Sequence, residues 1–401
     1  MTTGQQPTGE KMTPRHWAAL VSLTMGAFIF NTSEFVPIGL LTDIAVDFGK
    51  TESETGMLIS VYAWMVALMS LPLMILASRM EMRKLMLLLT GAFAFFQCLS
   101  WLSTSYAFLM ASRIGVACCH AIFWSIVSPM AVRIVPDSHK AVALSTIVTG
   151  SAVAMILGLP LGRAIGLWVG WRMTFLCVGG FAACILIFMS LTLPQLPSRG
   201  KFAVRRLPEL LSNKALLGIY AFTLVWVIGY YTAYSYIEPF LAQVAQMPED
   251  VITLTLMLFG VAGILAGQIF ARFYTRGPLR FIGWMTIGMA VCLFLLWPSC
   301  VAMWVVIGVS LLWGVCNTCS NVASQSELIA MTPPEGTAVA MSIYSGIFNL
   351  GIGTGAAVGG VVCAAATINW IGVVGGICSL GAVAIWFLWL MPQLRILREK
   401  K

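Results

Sequence analysis

The chain has 401 residues, 59% of them hydrophobic and only 9% charged, with a formal net charge of +8 and a mean hydropathy of +0.92. Ordinary globular chains carry about 25% charged residues, so a water-soluble fold is excluded and most of this chain must face lipid or pack on helices that do. The positive charge would fit a nucleic-acid partner only if the basic residues formed a stripe, and their distribution is instead that of a topology signal.

A bilayer-crossing helix needs about 20 predominantly apolar residues. The N-terminal segment is polar as far as Arg15, and the first apolar run, roughly 16–41, has no small-residue cleavage site. It reads as an uncleaved first span and not as a signal peptide. Within it lies FIFNTSEFVPIGLL, residues 28–41, where Glu34 sits near the middle of the span. Spans two to six are expected at about 55–77, 85–104, 107–132, 141–168 and 173–193. A polar segment then leads to spans seven to twelve, at about 215–240, 251–271, 280–297, 301–326, 338–365 and 369–391. The predicted fold class is an all-α polytopic membrane protein with twelve transmembrane helices. A six-helix bundle over 1–192 and another over 215–401 are expected on either side of a cytoplasmic linker at 193–214.

Placing the N-terminus in the cytoplasm puts the basic loops on one side. Lys11 and Arg15 precede span one, and Arg79, Arg83 and Lys84 lie between spans two and three. Arg133 and Lys140 follow span four; Arg199, Lys201, Arg205, Arg206 and Lys214 occupy the middle segment. Arg272, Arg276 and Arg280 lie between spans eight and nine, and Arg395, Arg398, Lys400 and Lys401 end the chain. That is 19 of the 23 Lys and Arg, against Lys50 and Arg172 in opposite-side loops and Arg113 and Arg163 inside spans. Such a positive-inside bias places both termini in the cytoplasm. It also accounts for the net charge without a nucleic-acid surface.

The two sets of six spans share features. The first and seventh spans each carry a carboxylate near a proline, Glu34-Phe35-Val36-Pro37 and Glu238-Pro239, which puts the two carboxylates at matching positions. Each set has a basic loop after its second span, RMEMRK at 79–84 and ARFYTRGPLR at 271–280. Spans five and eleven are both punctuated by glycine, at Gly150, Gly158 and Gly162 and at Gly346, Gly351, Gly353, Gly355 and Gly359. Parallel repeats about an axis along the membrane normal suggest a transporter with its site between the halves.

Several long segments carry a family resemblance: AFIFNTSEFVPIGLL, VYAWMVALMSLPLM (61–74), SRIGVACCHAIFWS (112–125), LGLPLGRAIGLWVGWRMTF (157–175), YTAYSYIEPF (231–240) and SGIFNLGIG (345–353). Together they resemble the major facilitator superfamily in its twelve-span drug/proton antiporter branch, with most similarity to the bacterial sugar efflux transporter B type. The resemblance implies a proton-coupled efflux antiporter of small sugars or thiogalactosides, such as arabinose or IPTG, in the bacterial inner membrane. It implies a pseudo-symmetric pair of six-helix bundles, and a monomer is expected. The superfamily's loop motif between spans two and three is degenerate: Ile75 and Arg79 stand at its usual glycine and aspartate, while Arg83 and Lys84 fit its basic end. Gly158-Leu-Pro160-Leu-Gly162 resembles the span-five antiporter motif and is taken as a conformational element. Independently, small residues let helices approach closely and a proline bends them.

Candidate site residues follow from where polar groups sit in apolar runs. Ionising a carboxylate in hydrocarbon costs several kcal/mol, and intramembrane acids mark substrate or proton pathways. Glu34 is therefore the first candidate for proton coupling, with Asn31 one turn before it on the same face as a substrate or relay contact. The alternative is a permanently protonated acid hydrogen-bonded between helices. Glu238 has Tyr231 and Tyr234 at i−7 and i−4, a set of hydroxyls and flat rings suited to a polyol; a solvated interfacial carboxylate with an aromatic belt is the other reading. Arg113 and His120 share a face of span four with Trp124. An arginine cannot be left facing lipid, so this face should look into the cavity, and the resemblance associates an arginine here with proton transfer. His120 belongs to the side-chain type that titrates near physiological pH, and helix packing is its alternative role. Asn317, Asn321, Gln325 and Asn349 supply amides for substrate hydroxyls or interhelical bonds. Tyr62 and Trp64 are weaker substrate candidates, and Glu327 reads as a solvated helix-end charge or a gate.

Most of the eleven cysteines lie in apolar runs and act as small hydrophobes. Cys316-x-x-Cys319 has redox spacing without the strand context such a motif needs. There is no Walker loop, zinc-ligand cluster or nucleophile elbow, and Gly351-x-Gly353-x-Gly355 matches a nucleotide fingerprint by letters only, inside a span. No cofactor or metal is expected, with the proton gradient as the energy source, and the partners are a small molecule, protons and the bilayer. A multidrug/proton antiporter or a sugar uptake symporter of the same fold is the alternative. A membrane enzyme or sensor would need a polar catalytic cluster at one interface, whereas the buried polar groups are spread over several spans.

Overall fold

Hydrocarbon offers the backbone no hydrogen-bond partner, so a chain this apolar crosses a bilayer only as helices or a closed barrel. The computed structural model describes residues 11–77, 80–136, 139–197, 213–332 and 337–399, and within them all regular structure is helical. Arg79, Arg199, Lys201, Arg205, Arg206, Lys400 and Lys401 of the expected basic loops, and most of the expected linker, lie outside the described residues.

The first set of helices is α1 (Pro14–Gly39), α2 (Leu41–Phe48), α3 (Glu52–Ala77), α4 (Met82–Trp101), α5 (Tyr106–Ile134), α6 (Lys140–Val153), α7 (Leu159–Val169) and α8 (Trp171–Thr192). The second is α9 (Lys214–Tyr234), α10 (Ile237–Gln243), α11 (Glu249–Phe273), α12 (Pro278–Leu295), α13 (Met303–Met331), α14 (Thr337–Ala365), α15 (Ile371–Ile385) and α16 (Met391–Glu399). Among the described residues eleven helical stretches are long and apolar enough to span a bilayer. The remaining expected span is α3, which at 26 residues has the length of the others.

Local sequence sets the ends. Thr13 caps α1 by accepting from His16 N at 3.3 Å, with Pro14 at the first helical position, where a missing N–H costs nothing. Ser105 and Asn213 cap α5 and α9 in the same way. Gly170, at φ +90°, makes the turn between α7 and α8 that an L-residue would resist. The fifth expected span is not one regular helix: α6 passes through a π-helical turn at Ala154–Gly158 before α7, with Pro160 directly after it. A second π turn, Trp386–Leu390, joins α15 to α16.

The first helix of each half repeats with an offset of 196 residues. Leu40, where α1 breaks into α2, has φ −121° and ψ 15°; Tyr236, where the chain turns into α10, has φ −118° and ψ 17°. The glycines agree. A Cβ on Gly158 or Gly162 would strike Thr32 or Val36 of α1, and one on Gly355 or Gly359 would strike Ile228 or Thr232 of α9. Thr32 and Val36 advanced by 196 are those same positions. This register corrects the expected pairing of carboxylates. Glu34 matches Tyr230, and Glu238 matches Thr42, because the proline-adjacent patterns fall on opposite sides of the helix break.

One apolar cluster lies within the first half, and another, built mainly from the second half, also takes in Phe35, Ile38, Leu41, Ile59, Ala63 and Leu159 of the first. Phe30 stacks between Phe93 and Phe123, at 4.1 Å on each side, in the first. Trp226, Trp313 and Trp386 are fully buried in the second. The outer surface carries Leu68, Leu88, Trp168, Ile187, Trp284 and Leu388, as a lipid-facing belt requires. The halves meet along α3 with α14, and along the π turn and α7 with α11. Gly353 lies against Trp64 and Gly260 against Ile156 near the middle of their helices, and Gly360 lies against Ser53 at the end opposite the termini.

Candidate functional site

Where the two sets of helices meet they enclose a cavity of about 430 Å³. One wall is Asn31 and Glu34 of α1, His120 and Trp124 of α5, and Ile156 of the π turn. The other is Tyr230, Tyr231 and Tyr234 of α9, Phe259 of α11, Asn317 and Asn321 of α13, and Phe348 and Asn349 of α14. The dimensions suit a small ligand pocket lined by aromatic surface with a few polar groups.

The first wall holds the ionisable pair. Glu34 Oε2 lies 3.5 Å from His120 Nε2, and both side chains are nearly sealed from solvent. Asn31 shares the Glu34 face, as the one-turn spacing predicts. The second wall is neutral. Tyr230 stacks on Tyr234 at 4.9 Å, and Tyr231 meets both edge-on. Asn321 Oδ1 accepts from the Tyr344 hydroxyl at 3.0 Å and from Gln325 Nε2 at 2.8 Å. Asn349 Nδ2 donates to the Ser345 carbonyl at 3.0 Å, and its Oδ1 is buried with no partner among the described residues.

Arg113 does not line the cavity. Its guanidinium lies behind the wall, where Nη1 donates to Ser33 Oγ at 3.1 Å and Nη2 to the Ser33 carbonyl at 2.8 Å. That carbonyl is available because the residue four positions on is Pro37, which has no N–H to give it. Gln97 Nε2 also donates to Ser33 Oγ. Tyr62 is behind the wall too, its ring 4.7 Å from the guanidinium and 5.7 Å from the His120 ring. Arg113 therefore satisfies the rule that it must avoid lipid by bonding the next helix, and the expectation that its side chain faces the cavity is corrected. Substituting Ser33→Ala removes the oxygen that serves both Arg113 and Gln97. The expected cost is about 1–3 kcal/mol, that of a buried donor left unpaired. It is read as a lower midpoint of thermal unfolding in detergent; an unchanged midpoint would show that these bonds are dispensable.

Glu238 is also apart from the cavity, and from the tyrosines it was expected to join. The helix ends at Tyr234 and restarts at Ile237, so the spacing of one continuous helix does not apply across the break. Its carboxylate is buried against Arg163 Nη1 at 2.9 Å and the Thr42 hydroxyl at 2.8 Å, so it is not a solvated interfacial group. Glu327, expected to be solvated, is 2% exposed: it pairs with Arg398 at 2.5 Å and accepts from the Tyr274 hydroxyl at 2.8 Å. Gly158 and Gly162 pack on α1, as above. Arg83 Nη2 donates to the Ser190 carbonyl at 2.7 Å, tying α4 to α8, and Lys84 is exposed.

The chain's sequence matches the profile of the Major Facilitator Superfamily over residues 23–326 and 227–400. It belongs to the Major Facilitator Superfamily. Its fold is similar to a bacterial homologue of the human lysosomal transporter Spinster in an inward-facing, unoccupied conformation. The TM-score is 0.78 at 16% identity, covering 96% of this chain and 99% of that one. It is also similar to the human organic anion transporter MFSD10 (TETRAN), at TM-score 0.68 and 15% identity, covering 94% of this chain and 100% of that one. A third likeness is to the nucleoside transporter NupG, at TM-score 0.74 and 12% identity, covering 92% and 99%. At these identities the likeness is one of fold, the multi-pass transporter fold of the Major Facilitator Superfamily.

Within the superfamily fold, sequence reading missed Ser33, Gln97, Tyr230 and Arg163. Arg163 carries the same signal as Arg113: an arginine inside a span needs a partner. Tyr230 stands beside Tyr231 but is at i−8 from Glu238, outside the i−4 and i−7 spacing that marks Tyr231 and Tyr234. Ser33 had no signal, since its part depends on which helix lies next to α1.

Proposed function

We propose that the chain is a proton-coupled efflux transporter that works by alternating access, as an antiporter in the bacterial inner membrane with both termini in the cytoplasm. The observation that carries this reading is the cavity between the halves, with the Glu34–His120 pair on one wall and hydroxyls, amides and rings on the other. An aromatic face with hydrogen-bonding groups at its edge matches a sugar ring, which is apolar on its faces and polar at its rim. The proposed substrates are accordingly small sugars and thiogalactosides such as arabinose or IPTG. The two bundles, 1–192 and 215–401, would rock about the cavity. Glu34 would exchange a proton for substrate, with His120 as a relay, Asn31 and the second-wall tyrosines and asparagines as substrate contacts, and Arg113 as a fixed charge behind them. Coupling is reciprocal: substrate must weaken proton binding by the factor by which protons weaken substrate binding. The stacked Tyr230 and Tyr234 would also accept a flat apolar drug, which is the second reading.

The test is transport by the purified chain in proteoliposomes with an imposed pH gradient. Radiolabelled arabinose and a thiogalactoside are expected to move faster, and against their own gradient, when protons run down theirs. Equal rates with and without the pH gradient would end the proton-coupled reading. Coupled movement of a lipophilic cation but of neither sugar would favour the drug exporter.

A further inference from the structure

Away from the cavity, at the end of the molecule opposite the termini, one arginine of the first half is buried among groups of both halves. Arg163 of α7 is 1% exposed. Its Nη1 donates to the Gly39 carbonyl at 2.7 Å, one of the carbonyls that the end of α1 leaves without a helical partner. The same nitrogen lies 2.9 Å from Glu238 Oε1 of α10, and Nη2 pairs with Glu249 at the start of α11. Thr42 of α2 donates to the other oxygen of Glu238. Asp43 beside it, half-buried, adds a carboxylate near the guanidinium. The positive charge belongs to the first half, and both of its paired carboxylates belong to the second. Thr42 and Glu238 are repeat-equivalent, 196 residues apart, yet they touch. Equivalent residues can touch only beside the axis that relates the halves, so this cluster marks where the axis leaves the protein.

We infer that Arg163, Glu238 and Glu249 form an ionic lock that holds this end shut and sets how the two access states are balanced. The inference goes beyond the transport reading and needs neither its substrate nor its proton. Opening this end moves α7 away from α10 and α11, so Arg163 loses both carboxylates at once. It keeps the Gly39 carbonyl and the nearby Asp43 carboxylate, which belong to its own half and move with it. A buried guanidinium that loses both of its paired carboxylates is disfavoured, so the closed state at this end is stabilised by the pair. Weakening the pair lets the other state rise in population, because the balance follows the difference in interaction between the two states.

The lock is tested by hydrogen–deuterium exchange of the intact chain in lipid nanodiscs, comparing wild type with Glu238→Gln. Glutamine keeps the shape and the bond from Thr42 but not the charge. Exchange is expected to speed up by roughly tenfold over 40–48, 160–170 and 237–249. It is expected to slow over 82–90 and 322–332 at the other end, because opening one side of an alternating-access protein closes the other. The paired response is the signature. A rise at the mutated end without the fall at the terminus end is local loosening and overturns the lock, as does no change at either end. Glu249→Gln, at a side chain 60% exposed and tolerant of substitution, is expected to give the same paired response at smaller size. It carries the test should Glu238→Gln not fold.

Discussion

Replacing Glu34 by glutamine is expected to abolish the response of transport to a pH gradient while leaving substrate exchange without a gradient nearly intact. The side chain keeps its length and one carbonyl oxygen facing His120, so the cavity wall is preserved. What is lost is the one carboxylate that lines the cavity among the described residues. Among the other intramembrane acids, Glu238 is held by Arg163 and Thr42 and Glu327 by Arg398 and Tyr274, so neither can substitute for it from where it stands. Couplings between two ligands are typically about 1–3 kcal/mol, or 5- to 150-fold in affinity, and the gradient-driven rate should fall by a factor in that range. The measurement is the pair of rates, with and without a gradient, in proteoliposomes of Glu34→Gln and wild type. Gradient-driven accumulation that survives the change would remove Glu34 as the proton carrier.

The second large effect is expected at Gly260. A Cβ there would stand 2.1 Å from the Ile156 Cα, where α11 of one half crosses the π turn of the other. The obstacle is backbone, so no side-chain rotation relieves it, and the two halves must separate locally. Overpacking of this kind costs about 1–3 kcal/mol, and here the cost falls only on the state in which this crossing is closed. Gly260→Ala should therefore deplete that state and slow net transport by roughly tenfold, the equivalent of about 1.4 kcal/mol. Gly263, one turn further along α11, also lines the cavity and has nothing within 4 Å of its Cβ position, so Gly263→Ala should transport near the wild-type rate. Equal rates for the two variants would show that the crossing is not held as closely as described.

These expectations draw unequally on sequence and on tertiary structure. Hydropathy alone marked the spans, because burying polar backbone and charge in hydrocarbon is costly wherever the helix happens to sit. The same rule picked out Glu34, Asn31 and His120, whose positions on their helices bring them to the cavity. It carried through because α1 is one unbroken helix from Pro14 to Gly39, along which spacing predicts direction. At Glu238 the identical reasoning failed. The break at Ser235 and Tyr236 rotates everything after it, and two carboxylates that look alike in sequence serve different places.

The sequence by itself determined that this is a membrane-spanning, helical, twofold-repeated chain with a carboxylate inside its first span. Those properties depend on composition and on spacing within single helices. Only the tertiary structure decided that Arg113 bonds the Ser33 carbonyl left free by Pro37, that Arg163 faces Glu238 and Glu249, and that α1 repeats in α9 at 196 residues. Each of these is a contact between helices far apart in the chain, set by rotation about a helix axis and by where a helix breaks. A charge inside a span announces that it needs a partner, and packing chooses which one.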